Sequence, residues 1–295
     1  MQKTIDNISI SPPPKIAAVH DISCIGRCAC TVIIPVLSAL GVQVCPLPTA
    51  LLSTHTGGYE GFTFMDLSDE MKKISAHWDS IDTVFDAVYS GFLGSANQIE
   101  TVREFVNNCK AKKPECIFLA DPVMGDDGEK YATYTDEMCR LTKKLVSGAH
   151  VITPNVTEAC ILLDEPYRKD FSSYKLCEMG KELCAIGAEN VIITGIHRGD
   201  EVGAAYYISG AGASGTDKFG EYFTKRDPNN YPGAGDIFSS MILAGVLKGM
   251  SLAKTVKNAC EFIYSASGYT TLLGTPIREG LAIEPLMGQL IDCMK

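Results

Sequence analysis

This 295-residue chain has no basic run, no apolar run long enough to cross a bilayer and no paired-cysteine motif. Its densest cationic cluster is Lys110, Lys112 and Lys113, set in a net charge of −9. A binder of nucleic acid or of an anionic membrane normally carries a basic patch, so neither partner is expected. No segment reaches the roughly 18 to 20 apolar residues of a membrane-spanning helix. The N-terminal stretch MQKTIDNISISPPPK is polar and has no h-region, so it is not expected to be a secretory signal; residues 1–14 read as a frayed leader. The phosphate-loop pattern G-x-x-x-x-G-K-[ST] is absent, as is a G-x-G-x-x-G after the first apolar strand. These absences argue against P-loop chemistry and weaken a dinucleotide-binding reading.

Cysteine, by contrast, is abundant. None of the twelve forms a C-x-x-C pair or stands at zinc spacing beside a histidine. Most lie in apolar or helical stretches such as CIFLAD, which implies buried reduced thiols and a cytoplasmic protein. A soft-metal site at Cys24, Cys28 and Cys30 stays open as a lesser reading.

With 46% apolar and 21% charged residues, the chain can bury a sizeable core. Short apolar strands are expected at Lys15–His20, Val42–Pro48, Ala87–Leu93, Cys116–Asp121, His150–Thr153 and Asn190–Thr194. Helices are expected between them, among them Thr31–Leu40, Asp66–Trp78, one opened by Ser95 with Gln98 as capping-box partner, Thr135–Val146, Thr157–Leu163 and Ser172–Ile186. That alternation predicts an α/β fold with a mainly parallel central sheet and helices on both faces. Antiparallel strands over Val202–Ile208 and Phe219–Arg226 around the turn SGAGASG, then two long helices, complete the pattern. No repeat or long linker divides it, so residues 15–295 are expected to form a single domain.

Ligands of such sheets bind outside the carboxyl ends of the strands. The segment PGAGD, Pro232–Asp236, is small-residued and leads into an apolar helix. Unpaired N–H groups and a partial positive charge at a helix start suit a phosphate. Asp236 would repel that phosphate, so its useful role is to take a proton from an attacking hydroxyl. The tetrapeptide reads equally well as a turn with an Asp N-cap. Asp121 and Asp126 in DPVMGD, with Glu158 in TPNVTE, could gather Mg²⁺, which needs few carboxylates. Singly they read as turn residues, and Glu158 as a stabiliser of its helix start. His55 and Thr56 read singly as loop polar residues and Phe92 as core; His20 and Trp78 read as structural.

The motifs LSTHTG, SGFLG, DPVMGD, ITPNVTEA, VIITG and PGAGD together resemble the pyridoxal kinases of the ribokinase superfamily, from about Lys15 to near the C-terminus. The resemblance implies a ribokinase-like fold and ATP-dependent phosphorylation of the 5′-hydroxymethyl group of pyridoxal, pyridoxamine or pyridoxine. It implies Asp236 as general base and Gly233, Ala234 and Gly235 as an anion hole. Asp121, Asp126 and Glu158 would serve Mg–ATP, and Asn155 and Thr194 the nucleotide phosphates. Thr56, with His55 beside it, would hold the vitamer ring, Phe92 would offer a stacking surface, and Asp21 would meet the edge bearing the ring nitrogen and hydroxyl. It further implies Mg²⁺ with ATP, allows a monovalent cation such as K⁺, and suggests a homodimer. Three departures stand out: Asp21 where many relatives have Ser, Phe92 where several have Tyr, and Ala234 where some have Thr. The rival readings are a hydroxymethylpyrimidine kinase and a non-catalytic vitamer- or nucleotide-binding protein. Against the first, relatives of that kind carry S-G-G-A-G after the first strand, where this chain has HDISCIGRCAC.

Overall fold

Alternation along the first strand shows how the layers form. In β1 (Lys15–Val19), Ala17 and Val19 join one buried cluster while Ile16 and Ala18 join another. Successive side chains of a strand point to opposite faces, so both faces of this strand are covered. The computed structural model describes residues 12–210 and 218–295. Most of the expected leader and of the SGAGASG turn lies outside the described residues.

After β1 come β2 (Ile22–Ser23), α1 (Cys30–Ala39), β3 (Gln43–Pro46), β4 (Ala50–Leu52), β5 (Phe64–Asp66), α2 (Ser68–Ser80), β6 (Ala87–Ser90), α3 (Ala96–Lys112) and β7 (Ile117–Ala120). Then follow β8 (Gly125–Asp126), β9 (Glu129–Lys130), α4 (Asp136–Val146), β10 (Val151–Ile152), α5 (Val156–Leu163) and α6 (Ser173–Ile186). The chain continues through β11 (Asn190–Arg198), β12 (Glu201–Ile208), β13 (Phe219–Lys225), α7 (Ala234–Leu247), α8 (Leu252–Leu273) and α9 (Met287–Cys293).

The main sheet has eight strands in the order β13-β12-β11-β10-β7-β6-β1-β3. Pairing is parallel from β3 to β11 and antiparallel among β11, β12 and β13. One face packs on α2 to α6 through Met71, Ile99, Phe105, Leu141 and Leu183; the other packs on α1 and α7 to α9 through Ile33, Ile237, Met241, Phe262 and Leu290. This is the expected α/β architecture. Trp78 is structural as expected, its ring 5.3 Å from that of Phe85.

The differences are local. The sheet β2-β4-β5 lies apart from the main one, and β8 and β9 form a hairpin across Asp127 and Gly128, both at positive φ. Two- and three-residue strands carry too little periodicity to be read in advance. Ser95 caps α3 by accepting from the Gln98 N–H, but Gln98 does not return a bond to Ser95. Its amide is buried, accepts from the Gly94 N–H at 2.8 Å and donates to the Thr49 carbonyl at 2.9 Å, tying α3 to the loop before β4.

Candidate active site

The carboxyl ends of β1, β6, β7 and β10 deliver Asp21, Phe92, Asp121 and Thr153 to one edge of the sheet. The start of α7 meets them there. Gly233, not Asp236, is the N-cap residue, with φ 80°. A Cβ there would lie 1.8 Å from the Arg27 carbonyl oxygen, so this position admits only glycine. By helix geometry the first-turn N–H groups that follow have no intrahelical acceptor, which leaves donors for an anion.

Asp236 is therefore the third residue of α7. Its Oδ2 accepts from the Ala29 N–H at 2.8 Å, and its side chain is 19% exposed. Ala29 holds φ 48°, an uncommon conformation for a residue with a Cβ, and the loop thereby aims its N–H at the carboxylate. Burial pushes the Asp236 carboxyl up to about 7; the Ala29 hydrogen bond opposes that shift and the charge of Asp21 adds to it. A carboxylate poised near neutrality is a suitable proton acceptor. His20, read in advance as structural, lies beside it, with Nδ1 3.9 Å from Asp236 Oδ1. Burial holds this imidazole down to about 3, so it is neutral, and its ring meets Tyr89 edge-on at 4.3 Å. A buried histidine at a strand end gives no sequence signal of that proximity.

On one side of Asp236 stands Asp21. It is 8% exposed and accepts from the Ser23 hydroxyl at 2.8 Å. Burial raises its carboxyl, while the Ser23 bond lowers it. Both ring nitrogens of His55 are engaged. Nδ1 accepts from the Gly57 N–H at 3.1 Å, which makes Nε2 the donor to the Arg278 carbonyl at 2.6 Å. His55 thus braces the loop, and the neighbouring Thr56 is exposed. Phe92 is half-buried, and its carbonyl accepts from the Thr49 hydroxyl at 3.2 Å.

Asp121 stands on the other side. The Ser239 hydroxyl of α7 lies 3.2 Å from its Oδ2 and 2.8 Å from the Thr153 hydroxyl. Burial raises its carboxyl well above the usual range, and the charges of Glu158 and Asp236 raise it further. Asn155 and Glu158 form a reciprocal capping box on α5. Glu158 also accepts from the Met124 N–H at 2.9 Å, and Asn155 donates to the Gly125 carbonyl at 2.8 Å. The helix-start reading of Glu158 is therefore correct. Burial pushes Glu158 up to about 7, against the hydrogen bonds it accepts. Asp126 is exposed at the hairpin, and Thr194 forms a bridge pair with Asn155.

The nine residues Asp121, Asp126, Asn155, Glu158, Thr194, Gly233, Ala234, Gly235 and Asp236 line one cleft of about 430 Å³. Asp21, His55, Thr56 and Phe92 do not line that cleft; Asp21 joins it through its charge on Asp236. Among the described residues, no three His, Cys, Asp or Glu side chains gather as a metal cage, the three cysteines at 24, 28 and 30 included. The oxygens of Asp121, Asp126 and Glu158 suit Mg²⁺ bound mainly by phosphate and water, which is how this ion is commonly held.

The family model of phosphomethylpyrimidine kinase matches residues 34–278. Pyridoxal kinase of Bos taurus is 27% identical over 86% of this chain and 84% of its own. A Bacteroides thetaiotaomicron protein described as a phosphomethylpyrimidine kinase is 39% identical, with a TM-score of 0.90 and 96% of each chain covered. Its orthorhombic crystal form was solved with pyridoxal. Pyridoxal kinase from Lactobacillus plantarum is 28% identical, with a TM-score of 0.84 over 95% of this chain and 97% of its own. With the parallel sheet and the glycine-led helix start already in view, these likenesses make the chain a kinase of the family that takes in phosphomethylpyrimidine kinase and the pyridoxal kinases.

Proposed function

We propose that the protein transfers the γ-phosphoryl group of ATP to the 5′-hydroxymethyl group of a B6 vitamer. The observation that carries this reading is Asp236. It is tuned to about 7, sits in the first turn of α7 beside Gly233, and is coupled to Asp21 on one side. The Asp121–Glu158 cleft lies on the other. The substrate oxygen attacks the γ-phosphorus and the bond to the β-phosphate bridging oxygen breaks, with its electron pair leaving on ADP. The hydroxyl proton passes to Asp236. The N–H groups at the start of α7 stabilise charge on the transferring group; such preorganised donors are commonly the largest catalytic contribution. Asp121, Asp126 and Glu158 would hold Mg²⁺, which would supply neutralising charge for the phosphates. The vitamer would lie between Asp21 and Phe92, and Thr194 would face the nucleotide.

Residues 15–295 act as one catalytic domain in this reading, and the protein is a cytoplasmic homodimer. The exposed apolar side chains of Ile25, Leu51, Phe64 and Met65 support self-association. Among the described residues no helix is long and apolar enough to cross a membrane. The matching family description favours hydroxymethylpyrimidine as the second candidate substrate. Incubation with Mg–ATP and each compound, followed by mass spectrometry, tests the proposal. Pyridoxal 5′-phosphate is the expected product; no phosphorylated vitamer in any incubation would overturn the reading.

A further inference from the structure

The Ala29 N–H holds one carboxylate oxygen of Asp236, Oδ2, at 2.8 Å. The other, Oδ1, faces the imidazole of His20, whose Nδ1 lies 3.9 Å away. His20 is 1% exposed, and phosphoryl transfer has no step of its own for it.

The ring is locked in one orientation. The His20 carbonyl accepts from the Thr49 N–H at 3.0 Å, which fixes the backbone at the end of β1. Tyr89 meets the imidazole edge-on, at an interplanar angle of 73°. Gly91 lies flush against the same ring: a Cβ there would stand 2.3 Å from Cε1 and 2.4 Å from Nδ1. Nε2 is buried and has no hydrogen-bond partner among the described residues. This asymmetry decides which nitrogen carries the proton. On Nδ1 the N–H faces a carboxylate; on Nε2 it would be a buried donor without an acceptor, and a lone pair would face Asp236 instead. Burial keeps the ring uncharged. A cation here would pull the carboxyl down and weaken it as a base, whereas an uncharged donor orients it with a smaller pull.

We propose that His20 is a positioning residue for Asp236: its Nδ1–H and the Ala29 N–H take one carboxylate oxygen each and aim the carboxylate at the substrate hydroxyl. The 3.9 Å separation exceeds a formed hydrogen bond, and contacts of this kind commonly tighten once substrate is bound. The inference rests on the kinase reading and adds to it the group that orients the base.

Kinetics with Mg–ATP and pyridoxal test it on the wild type, His20→Phe and His20→Asn, with melting temperatures measured alongside. His20→Phe keeps a ring against Tyr89 and loses the N–H. His20→Asn loses the ring and keeps an amide N–H bonded to Cγ, where Nδ1 stood. His20→Phe is expected to lower kcat about 10- to 100-fold with the KM for pyridoxal nearly unchanged. His20→Asn should recover most of that loss, although it packs worse and melts lower. A role in packing alone predicts the reverse order. Wild-type kcat in His20→Phe, or an equal or larger loss in His20→Asn, would overturn the assignment. Imidazole ¹⁵N spectra of the wild type give a readout that needs no variant: the Nδ1–H tautomer is expected at His20, and the Nε2–H tautomer would overturn the assignment. A wild type that phosphorylates no vitamer would instead sink the kinase reading beneath it.

Discussion

At Asp236, the proposed role as base and the stability of the fold pull in opposite directions. Its carboxyl rises from the ordinary 3.8 to about 7. The folded state therefore binds this proton more tightly than the unfolded chain does. The site costs nothing below about pH 4 and costs progressively more as pH climbs to about 7. Asp236→Asn keeps an oxygen for the Ala29 N–H and removes the buried charge. It is expected to lose about 10²- to 10⁴-fold in kcat while melting a few degrees higher than wild type at pH 8. The melting difference should vanish near pH 4, and thermal scans at the two pH values check it. Asp21 offers a second test at this scale, because its charge helps to raise Asp236. Asp21→Asn should move the acid limb of the kcat/KM profile, expected near pH 7, to lower pH. It should also weaken pyridoxamine more than pyridoxal, since only the former brings an ammonium for a carboxylate to pair with. A profile that does not move would separate Asp21 from the base. The helix start at Asp236 was legible in the sequence as small residues before an apolar run, although the same residues read equally well as a turn capped by Asp236, and it is Gly233 that holds the cap. The Ala29 N–H and His20 were not legible, since backbone conformation and a long-range approach leave no local pattern.

Among the elements, the start of α5 gives Glu158 a structural role, beside its proposed share in the Mg²⁺ site, that Asp126 lacks. Asn155, Glu158 and the Met124 N–H form one buried hydrogen-bonded unit, whereas Asp126 stands exposed on the β8–β9 hairpin. Glu158→Ala strips acceptors from two backbone N–H groups, at about 1–3 kcal/mol for each one left buried and unpaired. It should lower the melting temperature clearly, with activity falling through a misplaced loop. Asp126→Ala should leave melting nearly unchanged and raise the Mg²⁺ concentration needed for half-maximal activity. Paired melts and Mg²⁺ titrations distinguish the two; equal melting temperatures would remove Glu158 from its structural role. The T-P-N-V-T-E sequence already carries the capping-box spacing at Asn155 and Glu158, so helix-start chemistry was readable there. The bond to Met124 crosses from another strand end and was not.

Across the whole molecule, the alternation of apolar strands and helices was enough to fix the parallel sheet, because strands buried on both faces must read as short apolar runs. Lys15–Val19 and Ile117–Ala120 are such runs. The separate β2-β4-β5 sheet escaped that logic; its strands are two or three residues long and β5 is exposed throughout. The proposed vitamer side of the site is built partly from these short elements, so substrate choice is the least legible property of the chain. The most direct test is the ratio of kcat/KM for pyridoxal to that for hydroxymethylpyrimidine, measured with Mg–ATP on the wild-type protein. A ratio well above one, with kcat on both substrates lowered about 10²- to 10⁴-fold in Asp236→Asn, is the predicted result; a ratio below one, or an Asp236→Asn variant as active as wild type on pyridoxal, would contradict it.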